Sequence, residues 1–284
     1  MYEEKSKELY LAVLAADSYS LGTHWIYDTN ELQALDIDWE KLNPPHTPWH
    51  QGKTKGDFTH YGDQLLILNN FIKDKKSFDI RAYMSFWRES MKNFKGYLDG
   101  ATKETLLNLD KNIQVPCGST SHDMSVVGKI TPLLPLSNSR EEFLQNSVTL
   151  AKATHNDKDV LEVTDFFAKV LLDVLEGTSI KKSIQNHKEN SSKEMHTLIN
   201  RAIASSDQNT LQAIATFGPA CPTLSAFPST IHLLFKYDNL KEALIANSKA
   251  GGDSSARAMV VAYLFTAQES LSSIPDDWLK FNAQ

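Results

Sequence analysis

Two acidic residues stand ahead of apolar segments, where they can bind a cation or move protons. Asp63 precedes the run Leu65–Leu68, and Asp253 follows the glycine pair Gly251–Gly252. Carboxylate oxygens suit hard divalent ions, and a carboxylate near a substrate can donate or accept a proton. The plainer interpretation is that each carboxylate caps a helix, because acidic groups stabilise helix N-termini. Helix capping and a functional site both stay open at this point.

A histidine stands three residues before Asp63. His60 and Asp63 in this spacing at a loop–helix junction are able to bind a divalent ion or polarise a water, although His-x-x-Asp is a weak pattern alone. A surface cap with Asp63 as the N-terminal charge is an equal alternative.

The segment Pro116–Asp123 is rich in small residues with free amides. It precedes an apolar helix that we expect to end at Pro132. Gly118 and Ser119 in this setting suit an anion such as a diphosphate, although a helix start without a ligand has the same sequence. Cys117 is more typical of a buried, inert thiol than of a nucleophile.

Asp17 is an acidic residue inside an apolar helical stripe. Because an isolated carboxylate is costly to bury, it needs a partner. Two interpretations remain equal: Asp17 anchors a loop by hydrogen bonds, or it lines a pocket.

The elements that carry these residues are predicted to be helices. Apolar residues recur at three- and four-residue steps, and alternating runs typical of strands are nearly absent. Pro and Gly fall between the helical stretches. The prediction is an all-α fold of about a dozen helices, with a long irregular loop over residues 40–63 that we expect to build a site.

Composition narrows the class of protein. The 284 residues are 41% hydrophobic and 23% charged with a formal net charge of −6, which is typical of one globular domain over residues 1–284. Without a basic block, nucleic acid and membrane surfaces are not expected partners. The two cysteines and the acidic N-terminus indicate a reduced, cytoplasmic protein without a signal peptide or membrane span.

Taken in order, these segments resemble the ADP-ribosylglycohydrolase family, an all-α fold, over nearly the whole chain. The matching segments are Ala16-Asp17 with Gly22 and Asp28, Tyr61–Gln64, Gly118-Ser119 through Pro132, Thr154-His155, Gly251–Ala256 and Ile274–Trp278. The resemblance implies two Mg²⁺ ions held by the acidic motifs. These ions would bind ribose hydroxyls and activate the water that attacks the anomeric carbon.

The sequence departs from the family pattern at the metal ligands. Gly62 stands at the first Asp of Thr-Asp-Asp-Thr, and Ser255 at the second Asp of Gly-Gly-Asp-Thr-Asp-Thr. Only Asp63 and Asp253 remain as strong ligands, enough for one Mg²⁺ at most. We therefore predict that the binuclear centre is lost.

The predicted site combines these residues. Asp63 and Asp253 are the expected catalytic acids, with ligand-binding roles for Asp17, His24, Trp25, Tyr27, Asp28, His60, Tyr61, Gly118, Ser119, His155, Gly251, Gly252, Ser254 and Ser255. The first functional interpretation is a hydrolase of an ADP-ribosyl or related glycosidic bond, acting on a small ADP-ribose-like or sugar ligand. The alternatives are a non-catalytic nucleotide or sugar sensor and a structural protein of the crystallin type.

Overall fold

The computed structural model describes residues 2–282, in which every regular element is helical. The α-helices are α1 (Glu3–Ser20), α2 (Thr29–Ala34), α3 (His60–Ile72), α4 (Ile80–Lys92), α5 (Gly100–Asp110), α6 (Arg140–Thr154), α7 (Lys158–Leu175), α8 (Ile180–Lys188), α9 (Lys193–Ala204), α10 (Thr210–Phe217), α11 (Thr223–Lys236), α12 (Leu240–Lys249) and α13 (Ser254–Gln268). Short 3₁₀ helices lie at Pro48–His50, Met124–Lys129, Thr131–Leu136, Leu271–Ser273 and Asp276–Leu279. The predicted all-α fold class is confirmed.

Two segments differ from the sequence-based expectation. Helix α3 begins at His60, because the Thr59 hydroxyl accepts a hydrogen bond from the Tyr61 amide and starts the helix before Asp63. The apolar helix expected before Pro132 is instead a pair of 3₁₀ helices. Pro132 and Pro135 lack the amide hydrogens that an α-helix needs, so this apolar segment adopts short, tighter turns.

Helix α13 is the centre of the fold. Every residue from Ser254 to Ala267 is buried, and the helix packs against α1, α7, α11, α12 and the 3₁₀ helix Met124–Lys129. A helix that is buried on all sides needs apolar or internally bonded side chains around its whole circumference. None of the helices within residues 2–282 combines the length and hydropathy needed to cross a membrane.

The start of α13 is fixed by a cap and by a buried arginine. The Asp253 side chain accepts a hydrogen bond from the Ala256 amide at 3.2 Å, so the capping role predicted for Asp253 is confirmed. Arg257, with no exposed surface, donates to Asn247 Oδ1 at 2.7 Å, the Pro219 carbonyl at 3.0 Å and the Gly251 carbonyl at 2.6 Å. The arginine thereby joins α12, α13 and the loop before α11.

Replacement of Arg257 by Met tests this role. We expect Arg257→Met to lower the free energy of unfolding by more than about 3 kcal/mol, because three buried acceptors lose their donor at about 1–3 kcal/mol each. The matched control is Arg201→Met, since Arg201 is exposed and its guanidinium lies over the Phe217 ring at 5.6 Å. Urea unfolding of both variants gives the comparison, and equal losses would contradict the role of Arg257.

Candidate functional site

Asp17 connects three segments of the chain at the base of the site. Its carboxylate has no exposed surface and accepts hydrogen bonds from the Thr59 amide at 2.8 Å, the Thr59 hydroxyl and the Ser255 hydroxyl. Burial raises the pKa of Asp17, while these hydrogen bonds oppose the rise. Of the two interpretations from the sequence, the contacts are those of a buried anchor that ties α1 to the starts of α3 and α13.

Gly62 is packed directly against this anchor. A Cβ atom at Gly62 would lie 2.2 Å from Asp17 Oδ2 and 2.8 Å from the Phe58 Cβ. Both distances are shorter than any van der Waals contact, so only glycine fits here while Asp17 keeps its position. Position 62 is a metal-ligand position in the family pattern. In this structure, packing against Asp17 requires glycine there.

Two carboxylates share one phenol at the centre of the site. The Tyr61 hydroxyl lies 2.9 Å from Asp123 Oδ2 and 2.9 Å from Asp253 Oδ2. Tyr61 and Asp253 have no exposed surface, and Asp123 retains 8%. Helix α3 positions the phenol, the cap of α13 positions Asp253, and the cap of the 3₁₀ helix Met124–Lys129 positions Asp123.

The contacts of the Tyr61 hydroxyl determine how many protons Asp123 and Asp253 hold between them. A phenol has a single hydrogen to donate, so it can satisfy only one ionised carboxylate. The other carboxyl forms its contact by donating its own proton to the phenol oxygen. Burial and the charge of Asp123 raise the pKa of Asp253 above its ordinary value, against the lowering effect of Arg257. Asp253, whose pKa is raised, is therefore the carboxyl that holds the shared proton, and the Tyr61 hydroxyl connects it to Asp123.

An aromatic cluster lies next to the acid pair. The His24 and Trp25 rings stack with centroids 4.7 Å apart, and His60 lies 4.0 Å from the Tyr61 ring. Trp25 has a left-handed backbone with φ of 65°, which is strained for a bulky residue, and its amide donates to the Gly252 carbonyl at 2.8 Å. Tyr27 is 48% exposed, and burial together with the charge of Asp253 raises the pKa of its hydroxyl.

The glycine pair brings this cluster against α13. Gly251 and Gly252 both have positive φ, and a Cβ at Gly252 would lie 2.1 Å from the Pro219 carbonyl oxygen. Gly252 also bridges Ile26, and the Ser254 hydroxyl lies 3.5 Å from that of Thr23. Only glycine permits this close backbone approach.

Asp63 lies apart from Asp253 and has its own partner. Lys53 Nζ contacts Asp63 Oδ1 at 2.7 Å and Oδ2 at 2.6 Å. Burial raises the pKa of Asp63 to about 6, while Lys53 lowers it. The pair lines an open groove of about 600 Å³ between the loop before α3 and the end of α4. Among residues 2–282, Asp63 belongs to none of the clusters of three potential ligand side chains within 4.8 Å.

The remaining predicted residues are engaged elsewhere. The Gly118 and Ser119 amides donate to the carbonyls of Lys152 and Thr154 at 3.0 Å each, so these amides are not free for an anion. His155 is buried and accepts or donates through Nδ1 to the Thr154 hydroxyl at 2.9 Å. Asp28 is exposed and caps α2 through the Asn30 amide.

Sequence patterns did not identify several buried polar groups of the site. Lys129 is 5% exposed and donates to Gln64 Oε1 at 2.9 Å, and Asp99 lies 3.3 Å from His60 Nε2. His50, whose Nε2 lies 3.3 Å from His60 Nδ1, was also missed. The one usable signal was Lys129, because a single lysine inside an apolar run needs a buried partner.

Comparison with known proteins agrees with this architecture. The family model described as ADP-ribosylglycohydrolase matches residues 1–281. Crystallin J1A from Tripedalia cystophora is 20% identical, with 98% of this chain and 91% of the relative covered. Crystallin J1B from the same organism is 21% identical with the same coverage.

A solved structure, titled "ADP-ribosylglycohydrolase-related protein complex", shares the fold. Its TM-score is 0.75 at 16% sequence identity, with 98% of this chain and 92% of that chain covered. The helical order, the glycine-pair cap of α13 and the match over nearly the whole chain lead to one conclusion. This chain belongs to the ADP-ribosylglycohydrolase family.

Proposed function

We propose that this protein hydrolyses a glycosidic bond of an ADP-ribosyl group or a related nucleotide sugar, with Asp123 and Asp253 as its acid pair. The observation that carries the proposal is the shared phenol of Tyr61, 2.9 Å from each carboxylate. Two carboxyl groups in different protonation states are what glycoside hydrolysis requires. Membership of the family supports the class of substrate.

Each carboxyl has its own part in the reaction. Asp123 is the member of the pair that keeps contact with solvent, so it meets the attacking water and accepts its proton as the water oxygen bonds to the anomeric carbon. The bond to the departing group breaks as Asp123 passes a proton to that group, and the Tyr61 hydroxyl lets Asp253 and Asp123 exchange the one proton that the pair retains. The half-exposed rings of Tyr27 and Trp49 offer faces on which a base or sugar stacks.

Binuclear magnesium, which the family resemblance implies, does not fit the residues present. Both Asp63 oxygens are bonded to the Lys53 ammonium, and Gly62 and Ser255 supply no carboxylate. Asp253 and Asp123, which share the Tyr61 phenol, cannot provide the oxygen ligands and the negative charge that two hard ions need. We therefore assign no step of the reaction to magnesium.

A second candidate function is ligand binding without turnover, in the cytoplasm. The observation that favours it is the complete burial of Asp253, which keeps this carboxyl out of direct contact with a ligand. The crystallin relatives are consistent with a family branch in which the fold is used without catalysis. This candidate predicts affinity for ADP-ribose with no product formed.

Replacement of Asp253 separates the two candidates. We expect Asp253→Asn to lower the rate of hydrolysis by about 10²- to 10⁴-fold, because general acid–base groups contribute about that much. N-linked and O-linked ADP-ribosyl substrates are incubated with the purified protein, and released ADP-ribose is quantified by chromatography. Added Mg²⁺ is expected to leave the rate unchanged.

The matched control is Asp173→Asn. Asp173 is hydrogen-bonded to Arg140 at 2.8 Å and His187 at 2.8 Å but lies outside the site, so full activity is expected. Loss of activity in Asp63→Asn but not in Asp253→Asn would move the reaction to the groove of Lys53 and Asp63. Wild-type protein that binds ADP-ribose calorimetrically without releasing product would establish the second candidate.

Restoring the family residue at position 62 tests why the metal ligands are absent. We expect Gly62→Asp to lower the free energy of unfolding by at least about 3 kcal/mol, since overpacking costs about 1–3 kcal/mol and a second carboxylate is buried beside Asp17. The control is Gly100→Asp, because nothing lies within 4 Å of a Cβ at this exposed helix start. A stable Gly62→Asp protein that binds Mg²⁺ would contradict the steric argument.

A further inference from the structure

Three buried histidines from three separate segments meet beside the acid pair. His24 follows α1, His50 ends the 3₁₀ helix Pro48–His50, and His60 begins α3. Their side chains are between 0 and 3% exposed, and one ring nitrogen of each lies within 4.8 Å of the other two. This histidine triad shares no residue with the two acidic motifs that implied magnesium.

The spacing of two of these nitrogens equals that of ligands on one ion. His50 Nε2 and His60 Nδ1 are 3.3 Å apart. Zinc–nitrogen bonds of about 2.0–2.1 Å at tetrahedral angles place two nitrogens about 3.3–3.4 Å apart. The His24 ring centroid lies 5.4 Å from that of His50 and 5.9 Å from that of His60, which brings the third imidazole within reach of the same point.

Several ring nitrogens of the triad have no hydrogen-bond partner within residues 2–282. These are both nitrogens of His24, Nδ1 of His50 and Nε2 of His60. A buried polar atom without a partner costs about 1–3 kcal/mol. Bound metal removes this cost at Nε2 of His24, because Nδ1 of His24 and Nε2 of His60 face carboxylates instead.

Two carboxylates lie behind the triad and orient its rings. Asp99 Oδ2 is 3.3 Å from His60 Nε2, and Asp253 Oδ1 is 3.6 Å from His24 Nδ1. A histidine that binds a metal through one nitrogen usually directs the other toward a carboxylate or carbonyl. Asp99 therefore leaves Nδ1 of His60 as its ligand atom, facing His50, and Asp253 leaves Nε2 of His24.

The donor set selects the kind of metal. Imidazole nitrogens favour zinc and neighbouring transition metals, whereas magnesium requires oxygen ligands. Burial lowers the pKa of His24 well below its ordinary value and that of His50 to about 3, so both rings carry free lone pairs at neutral pH.

We propose that His24, His50 and His60 bind one zinc ion, with a fourth position left to a water or a ligand. Three histidines with one open position is a known arrangement for zinc in proteins. This proposal does not rest on the hydrolase function, because it concerns binding of the metal alone. The competing explanation is a histidine cluster held only by packing against Trp25 and Tyr97.

Metal titration of the untagged, full-length protein tests the proposal. The protein is treated with chelator, dialysed, and titrated by calorimetry with Zn²⁺ and, separately, with Mg²⁺. We expect one equivalent of Zn²⁺ to bind at least about 100-fold more tightly than Mg²⁺. Substitution with Co²⁺ is expected to give the visible absorption of a four-coordinate nitrogen site, without the charge-transfer band of a thiolate ligand.

Variants locate the ion. Asp99→Asn removes a group that orients a ligand and is expected to weaken Zn²⁺ binding about 10–100-fold. His50→Gln removes a ligand itself, so it is expected to weaken binding more than about 100-fold. The matched control is His232→Gln, a buried histidine bonded to Ser205 at 2.8 Å, which is expected to bind normally. Circular dichroism and the unfolding midpoint verify folding, and Asp99→Asn carries the test if His50→Gln does not fold.

Two results would overturn the proposal. One is wild-type protein that takes up no stoichiometric Zn²⁺, which would establish the packed cluster. The other is binding that survives His50→Gln but is lost in Cys221→Ser, because this would assign the ion to the group of Asp123, Cys221 and Asp253.

Discussion

The structure depends on satisfying buried carboxylates inside a helical core. Four acidic side chains, of Asp17, Asp99, Asp123 and Asp253, are at most 8% exposed. An ionised carboxylate without partners would cost far more than a helical fold of this size can absorb. Each one is therefore bonded to groups from distant segments, such as the Thr59 and Ser255 side chains on Asp17. The contacts that define the site are also the contacts that join the helices.

The departures from the family pattern form one coordinated set. Gly62 leaves space for the Asp17 carboxylate, and Ser255 donates a hydrogen bond to it where an aspartate would repel it. Lys53 supplies a positive charge to Asp63, and Tyr61 lies between the other two acids. Protein cations and protons thus compensate the charge that two metal ions would compensate in the pattern. Replacing one of these residues by the residue of the family pattern would leave the side chains that it contacts without their partner.

Local sequence patterns were sufficient to predict the helices but not the contacts that form the site. The apolar period identified the helices, and the glycine pair with Asp253 identified the capped start of α13, because both are set by neighbours in the chain. The partners of Asp17, His60 and Asp253 come from segments tens to hundreds of residues away. No short-range pattern contains that information, so His50 and Asp99 were not found.

Asp253 links the two groups of side chains for which we propose chemistry. Its Oδ2 faces the Tyr61 phenol, and its Oδ1 faces His24 Nδ1 at 3.6 Å. A proton on Asp253 favours the donor chain to Asp123, whereas an ionised Asp253 would favour a proton on His24 Nδ1 and a free Nε2. This one carboxyl therefore joins the acid pair to the histidine triad, and a change at Asp253 alters the surroundings of both.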